Sequence, residues 1–111
     1  MKNIFHTELA SRWNEFTTFE QMANIGAEVG RIISWTKKGN KKMAQNALYR
    51  ALELVDFTVE DSKNRNSLKE ILRMRELLVD YFVGDNIYHS SEQGWNKYFY
   101  YFNFAARRNL V

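Results

Sequence analysis

The 111-residue chain has no cysteine, no proline and only five glycines. Lack of cysteine rules out disulfides, thiolate metal sites and cysteine nucleophiles together, and fits a cytoplasmic protein. Lack of proline leaves long helices with few imposed breaks. No stretch approaches the roughly 20 apolar residues of a membrane-spanning helix. Met1–Phe5 carries one lysine with no apolar run behind it, so neither a membrane span nor a secretory leader is expected. The two histidines, His6 and His89, do not lie three residues after a glutamate. This excludes the Glu-x-x-His pairs of di-iron bundles and the His-Glu-x-x-His zinc helix. A glycine-rich phosphate loop and a nucleophile elbow are also missing. No cofactor or metal is expected, and the sequence leans away from an enzyme.

What is present is an ordinary globular composition, 45% hydrophobic and 26% charged, in a chain long enough for one domain with its own core. The net charge of +3 is mildly basic, so a nucleic-acid role depends on where the cations gather. The tightest basic cluster, Lys37-Lys38-Gly39-Asn40-Lys41-Lys42, reads first as a solvated loop and second as an anion contact.

Capping signals and apolar spacing divide the chain into four long helices. Thr17 and Glu20 form a capping box, and the helix they open stops at Gly39. Met22, Ile25, Gly26, Val29, Ile32 and Ile33 give it one core stripe. Gly26 and Gly30, four residues apart, are expected to let a neighbouring helix approach closely. Asn40 caps a second helix whose broad arc includes Ala47, Leu48, Ala51, Leu54 and Val55. A polar turn, Asp61–Asn66, precedes a third helix expected to open with a Ser67/Glu70 capping box. After the Gly84-Asp85-Asn86 break, Ser91, or Ser90 with Gln93, caps the last helix. The expected ranges are 17–38, 41–60, 67–83 and 91–108. Residues 1–16 are expected to form an N-terminal extension, in which Thr7 to Asn14 could be helical with Trp13 and Phe16 packed on the bundle. Short connections between long amphipathic helices imply an all-α, four-helix, antiparallel up-down bundle.

Seven of the ten residues from Trp95 to Phe104 are aromatic. At about 100° per residue, Trp95, Tyr98, Phe99 and Phe102 share one arc. Tyr100, Tyr101 and Phe104 fall on the far side with Lys97, Arg107 and Arg108. One core covers one such stripe. The second awaits another copy of the chain, a protein partner, stacked bases, or the chain's own residues 1–16. Aromatic rings and arginine dominate protein contacts, which favours a homodimer. The same rings and cations would also suit nucleic acid.

On the third helix, Leu68, Ile71, Leu72, Leu78, Val79 and Phe82 form the expected apolar arc, and Arg75 lands inside it. A guanidinium there needs a partner, with Glu53 and Asp56 on the second helix, or Glu28 on the first, as candidates. A buried ion pair is the first reading; a grip on a phosphate or carboxylate is the second. Asp80, Tyr81, Asp85, Tyr88 and His89 surround the following turn, where a loop on a rigid scaffold can carry function.

Several stretches together resemble a family of small prokaryotic all-helical proteins of uncharacterised activity. They are Glu20–Val29, Lys38-Gly39-Asn40, Arg50–Asp56, Arg73 with Arg75-Glu76, Asp80-Tyr81-Phe82, Gly84-Asp85-Asn86, Trp95 with Tyr98-Phe99 and Phe102, and Ala105-Ala106-Arg107. More distantly, the bundle is similar to HEPN helical domains, which dimerise and partner nucleotidyltransferases or cleave RNA. HEPN ribonucleases carry an arginine followed five to seven positions later by a histidine on one helix. Here Asp80, Tyr81 and Phe82 stand at that distance from Arg75, so no catalytic residue is carried over. The expectation is a non-enzymatic interaction or accessory protein that self-associates through its last helix, with a HEPN-like nucleic-acid binder or nucleotidyltransferase-associated domain as the alternative.

Overall fold

The first long helix begins where the Thr17-x-x-Glu20 pattern places it. The Glu20 N–H donates to Thr17 Oγ1 at 3.1 Å and the Thr17 N–H to Glu20 Oε1 at 2.9 Å, which satisfies two otherwise orphan donors. In the computed structural model, which describes residues 7–108, this helix is α2, Thr18–Lys37. It follows a short α1, Thr7–Arg12, and a 3-10 turn, Trp13–Glu15. Then come α3, Lys41–Glu60, a 3-10 stretch, Ser62–Ser67, α4, Leu68–Phe82, and α5, Glu92–Arg108. His6 and Met1–Phe5 lie outside the described residues.

Gly39 turns the chain between α2 and α3 at a φ of 76°, a backbone region that glycine enters without steric cost. Asn40 then caps α3, accepting from the Met43 N–H at 3.1 Å. Ser91 caps α5, accepting from the Gly94 N–H at 3.0 Å. The capping box expected at Ser67 does not form. The Ser67 side chain makes no cap hydrogen bond, because the 3-10 stretch already delivers the chain into α4.

The result is an all-α antiparallel bundle. α2 is central, packed against α3 on one side and α5 on the other, while α4 leans on α3. Ile25, Val29, Leu54, Val55, Ile71, Leu78, Trp95 and Phe99 meet in the core; full burial of such a side chain stabilises the fold by about 1.5–3 kcal/mol. Trp13 belongs to that core too, at 1% exposure. The supposed extension therefore contributes a core side chain. α4 is rotated from its expected phase. Met74 is buried and Leu77 and Tyr81 partly so, whereas Leu72 is exposed. The helix thus turns its Met74–Tyr81 edge toward α5, and Arg75 moves to the rim of the core.

The α2–α5 seam depends on Gly26. A Cβ at that position would stand 2.7 Å from the Phe99 Cβ. Gly30, one turn further, has nothing within 4 Å of where its Cβ would be. Of the two glycines expected to allow close approach, Gly26 is the one that does.

Candidate functional site

Three regions of the bundle concentrate polar or aromatic chemistry. The first is a buried knot joining the Trp13 turn, α2, α3 and the Ser62–Ser67 stretch. The Trp13 indole N–H donates to Thr58 Oγ1 at 3.0 Å, and the Thr58 hydroxyl donates to the Leu54 carbonyl at 2.8 Å. The Gln21 amide donates to the Trp13 carbonyl at 2.9 Å and to Asp61 Oδ2 at 2.8 Å. Its Oε1 accepts from the Asn64 amide at 2.8 Å. Asn64 also donates to the Thr58 carbonyl at 2.9 Å and accepts from the Thr18 hydroxyl. Burial alone would raise the Asp61 carboxyl. Hydrogen bonds from the Lys63 ammonium, the Gln21 amide and the Lys63 backbone N–H outweigh it and hold the group below the usual carboxylate range. With both amides bonded at both ends, this region has the character of a structural clamp.

The second region is the outer face of α5. Lys97, Tyr100, Tyr101, Phe104, Arg107 and Arg108 are all exposed there. The Arg108 guanidinium sits over the Phe104 ring at 5.9 Å. Trp95 and Phe99 are buried, and Tyr98 and Phe102 are partly buried, so the two arcs part as their angular positions require. Between α2 and α5 beside this face runs a groove of about 270 Å³, lined by Ala23, Ala27, Gly30 and Tyr100 among others.

The third region is a cleft of about 330 Å³ between α4 and α5. Glu70, Arg73, Met74 and Leu77 line it from α4, Gly94, Trp95 and Tyr98 from α5, and His89, Ser90 and Ser91 from the connecting loop. Asp80 holds that loop, its two carboxylate oxygens accepting from the Ile87 and Tyr88 N–H groups at 3.0 and 3.1 Å. Asn86 bonds Ser90 in both directions, at 2.8 and 3.0 Å. Asn86 and His89 take φ values of 53° and 58°, a conformation that costs non-glycine residues free energy and persists where surrounding bonds enforce it. Tyr88 is thereby laid across α4, 4.6 Å below the Arg73 guanidinium, and Arg73 also pairs with Glu76 at 2.8 Å.

Two polar atoms of the cleft-lining side chains, the Trp95 Nε1 and the Tyr98 hydroxyl, are buried without a hydrogen-bond partner. Burial, and then the nearby Glu70 charge, push the Tyr98 hydroxyl up to about 12, so it remains a neutral donor across the ordinary pH range.

Arg75 lies on none of these three surfaces. It donates from Nε to Asp56 Oδ1 at 2.9 Å, with both side chains about one-third exposed at 36%. The pair is a half-open bridge between α3 and α4, and the buried setting expected for Arg75 is not found. Glu28 pairs instead with Arg31 on its own helix, leaving Oε2 buried and unpartnered. Glu53 is buried on α3. Of the basic loop, Lys37 bonds Glu92 at 2.8 Å and Lys38 lies over the Trp35 ring at 5.0 Å.

The apolar periodicity gave no direct sign of the α4–α5 cleft. A usable signal was in the inward arc of α5, where two of the four rings are tryptophan and tyrosine. Those rings carry a polar handle that normally finds a partner when buried. No group of three or more metal-ligating side chains occurs among the described residues, and none of their helices is long and apolar enough to cross a membrane. No family model, curated protein or solved structure matches the chain.

Proposed function

We propose that the protein is a non-enzymatic interaction module that pairs with a second copy of itself through the outer face of α5. The observation that carries this reading is the exposure of Tyr100, Tyr101 and Phe104, at 68%, 61% and 52%. They stand together on a helix whose other rings face inward. Scattered exposed rings are ordinary, but adjacent ones flanked by arginine are what binding surfaces are made of. A helix of 17 residues is roughly 25 Å long, enough to anchor an interface of about 800 Å² per partner. The neighbouring groove, floored by Ala23, Ala27 and Gly30, gives a partner helix room to lie close. The cysteine-free composition supports a cytoplasmic setting.

Size-exclusion chromatography with light scattering tests it. The wild type is expected at twice the 13.2 kDa subunit mass. The triple variant Tyr100→Ser/Tyr101→Ser/Phe104→Ser is expected at the subunit mass with unchanged helicity. A monomeric wild type would overturn the proposal.

One observation favours a second reading. The charged residues on that face, Lys97, Arg107 and Arg108, are all cations, and like charges oppose each other across a two-fold axis. Bases stacked on the rings, with phosphates at the cations, would relieve that repulsion. Such a surface would suit the HEPN-like or nucleotidyltransferase-associated role. It requires RNA binding that weakens steeply with salt, and no binding at low salt rejects it.

A further inference from the structure

We infer that the two copies pair with their α5 helices antiparallel, about a two-fold axis that passes between Tyr100 and Tyr101. This rests on the self-pairing proposed above and adds its direction and register. The argument starts from positions on one helix. At about 100° per residue, Gln93, Lys97, Tyr100, Tyr101, Phe104 and Arg108 fall within about 50° of one midline on the outer face, and all six are exposed. Their spacing along the chain reads the same from either end, in steps of four, three, one, three and four. Such a stripe superposes on a reversed copy of itself.

Charge decides the direction. If the helices ran parallel, Lys97, Arg107 and Arg108 would each meet their own counterpart, and like charges at close range repel. The like-charge opposition raised against self-pairing is that of the parallel direction. Turned antiparallel, Lys97 arrives opposite the partner's Phe104, where a cation over a ring is attracted. That ring already has a cation beside it, the chain's own Arg108 at 5.9 Å, one turn further along from where Lys97 arrives. Arg108 comes level with the partner's uncharged Gln93.

Two further terms favour the same direction. Tyr100 and Tyr101 of both copies gather at the axis, the middle of the interface, where aromatic anchors contribute most. Antiparallel helices also place the positive end of each dipole beside the negative end of the other.

Cross-linking tests the register. The chain has no cysteine of its own, so an introduced thiol is unique. Gln93→Cys and Arg108→Cys chains, carrying different tags, are produced separately and co-expressed, then treated with a short bis-maleimide. Neither variant alone is expected to cross-link, because antiparallel copies hold equivalent end positions roughly 22 Å apart. The co-expressed pair is expected to give a cross-linked dimer carrying both tags. Lys97→Ala should raise the dimer dissociation constant about tenfold, through loss of two exposed cation–ring contacts per dimer.

Light scattering on the same samples separates the two ways of failing. A monomeric wild type overturns self-pairing itself. A dimeric wild type whose variants each cross-link to their own kind, or whose Lys97→Ala form dimerises more tightly, overturns the antiparallel direction and leaves self-pairing standing. A dimer with no cross-link in any sample overturns the placement of the axis between Tyr100 and Tyr101.

Discussion

The knot around Asn64 and the cleft around Tyr98 bury similar chemistry and treat it in opposite ways. In the knot, Gln21 and Asn64 each use both ends of their amides, and Trp13 has its acceptor in Thr58. In the cleft, a tryptophan N–H and a tyrosine hydroxyl are equally hidden and bonded to nothing. The difference lies in what each helix is tied to. The knot draws together the start of α2 and the end of α3 with the turns beside them, Gln21 reaching Asp61 and Asn64 across the bundle. α5 packs closely on α2 at the Gly26–Phe99 contact and meets α4 through the Tyr81 and Trp95 rings, 6.5 Å apart. A satisfied buried polar group stabilises the fold, and an unsatisfied one costs it free energy.

Breaking the knot should have the largest effect. Asn64→Ala removes the bonds to Gln21, Thr58 and Thr18 and leaves the buried Gln21 Oε1 without its donor. The expected loss is about 3 kcal/mol, read by urea unfolding, and a loss under about 1 kcal/mol would mean that the knot is not a clamp. Next comes the seam between α2 and α5. Gly26→Ala forces Phe99 away and should cost about 1–3 kcal/mol. Gly30→Ala, with open space at its Cβ, should gain up to about 1 kcal/mol from helix propensity. The same sign for both would contradict the geometry.

Acid tests the knot more gently. The Asp61 carboxyl titrates lower in the folded chain than in the unfolded one, so its stabilisation is present above the unfolded value of about 3.9 and is lost as the pH falls through the folded value. Asp61→Asn should therefore flatten the acid limb of the stability profile; an unchanged limb would show that Asp61 contributes nothing to it. The smallest effect belongs to the cleft. Tyr98→Phe deletes an unpartnered hydroxyl and should leave stability at neutral pH the same or slightly higher. With the hydroxyl at about 12 in the folded chain, the wild type should lose stability as the pH rises from the free tyrosine value of about 10 toward 12. The variant should lack that portion of the loss, and identical alkaline profiles would show that Tyr98 is not held neutral.

Helices were legible because caps and periodicity are local. Thr17 with Glu20, Asn40 and Ser91 act where their side chains reach their own helix, and each does so in the structure. The outward arc of α5 was legible for the same reason. What depended on the rotation of one helix against another was not. Arg75 sits at the centre of the arc drawn through Leu68 and Leu72, yet α4 turns on Met74 and Leu78, leaving a one-third-exposed pair worth under about 1 kcal/mol. Asp61 and Asn64 read only as part of a polar turn because nothing adjacent in the chain announces that Gln21, 40 residues from Asp61, requires them.

The Trp13 side chain, pinned to Thr58 and almost wholly enclosed, also fixes where the folding unit begins. Trimming the chain to its four long helices, starting at residue 17, would extract a plug from beneath α3 and strand Gln21 without one of its two acceptors. A shortened version of this protein that is to keep its native packing has to retain the residues from Trp13 onward.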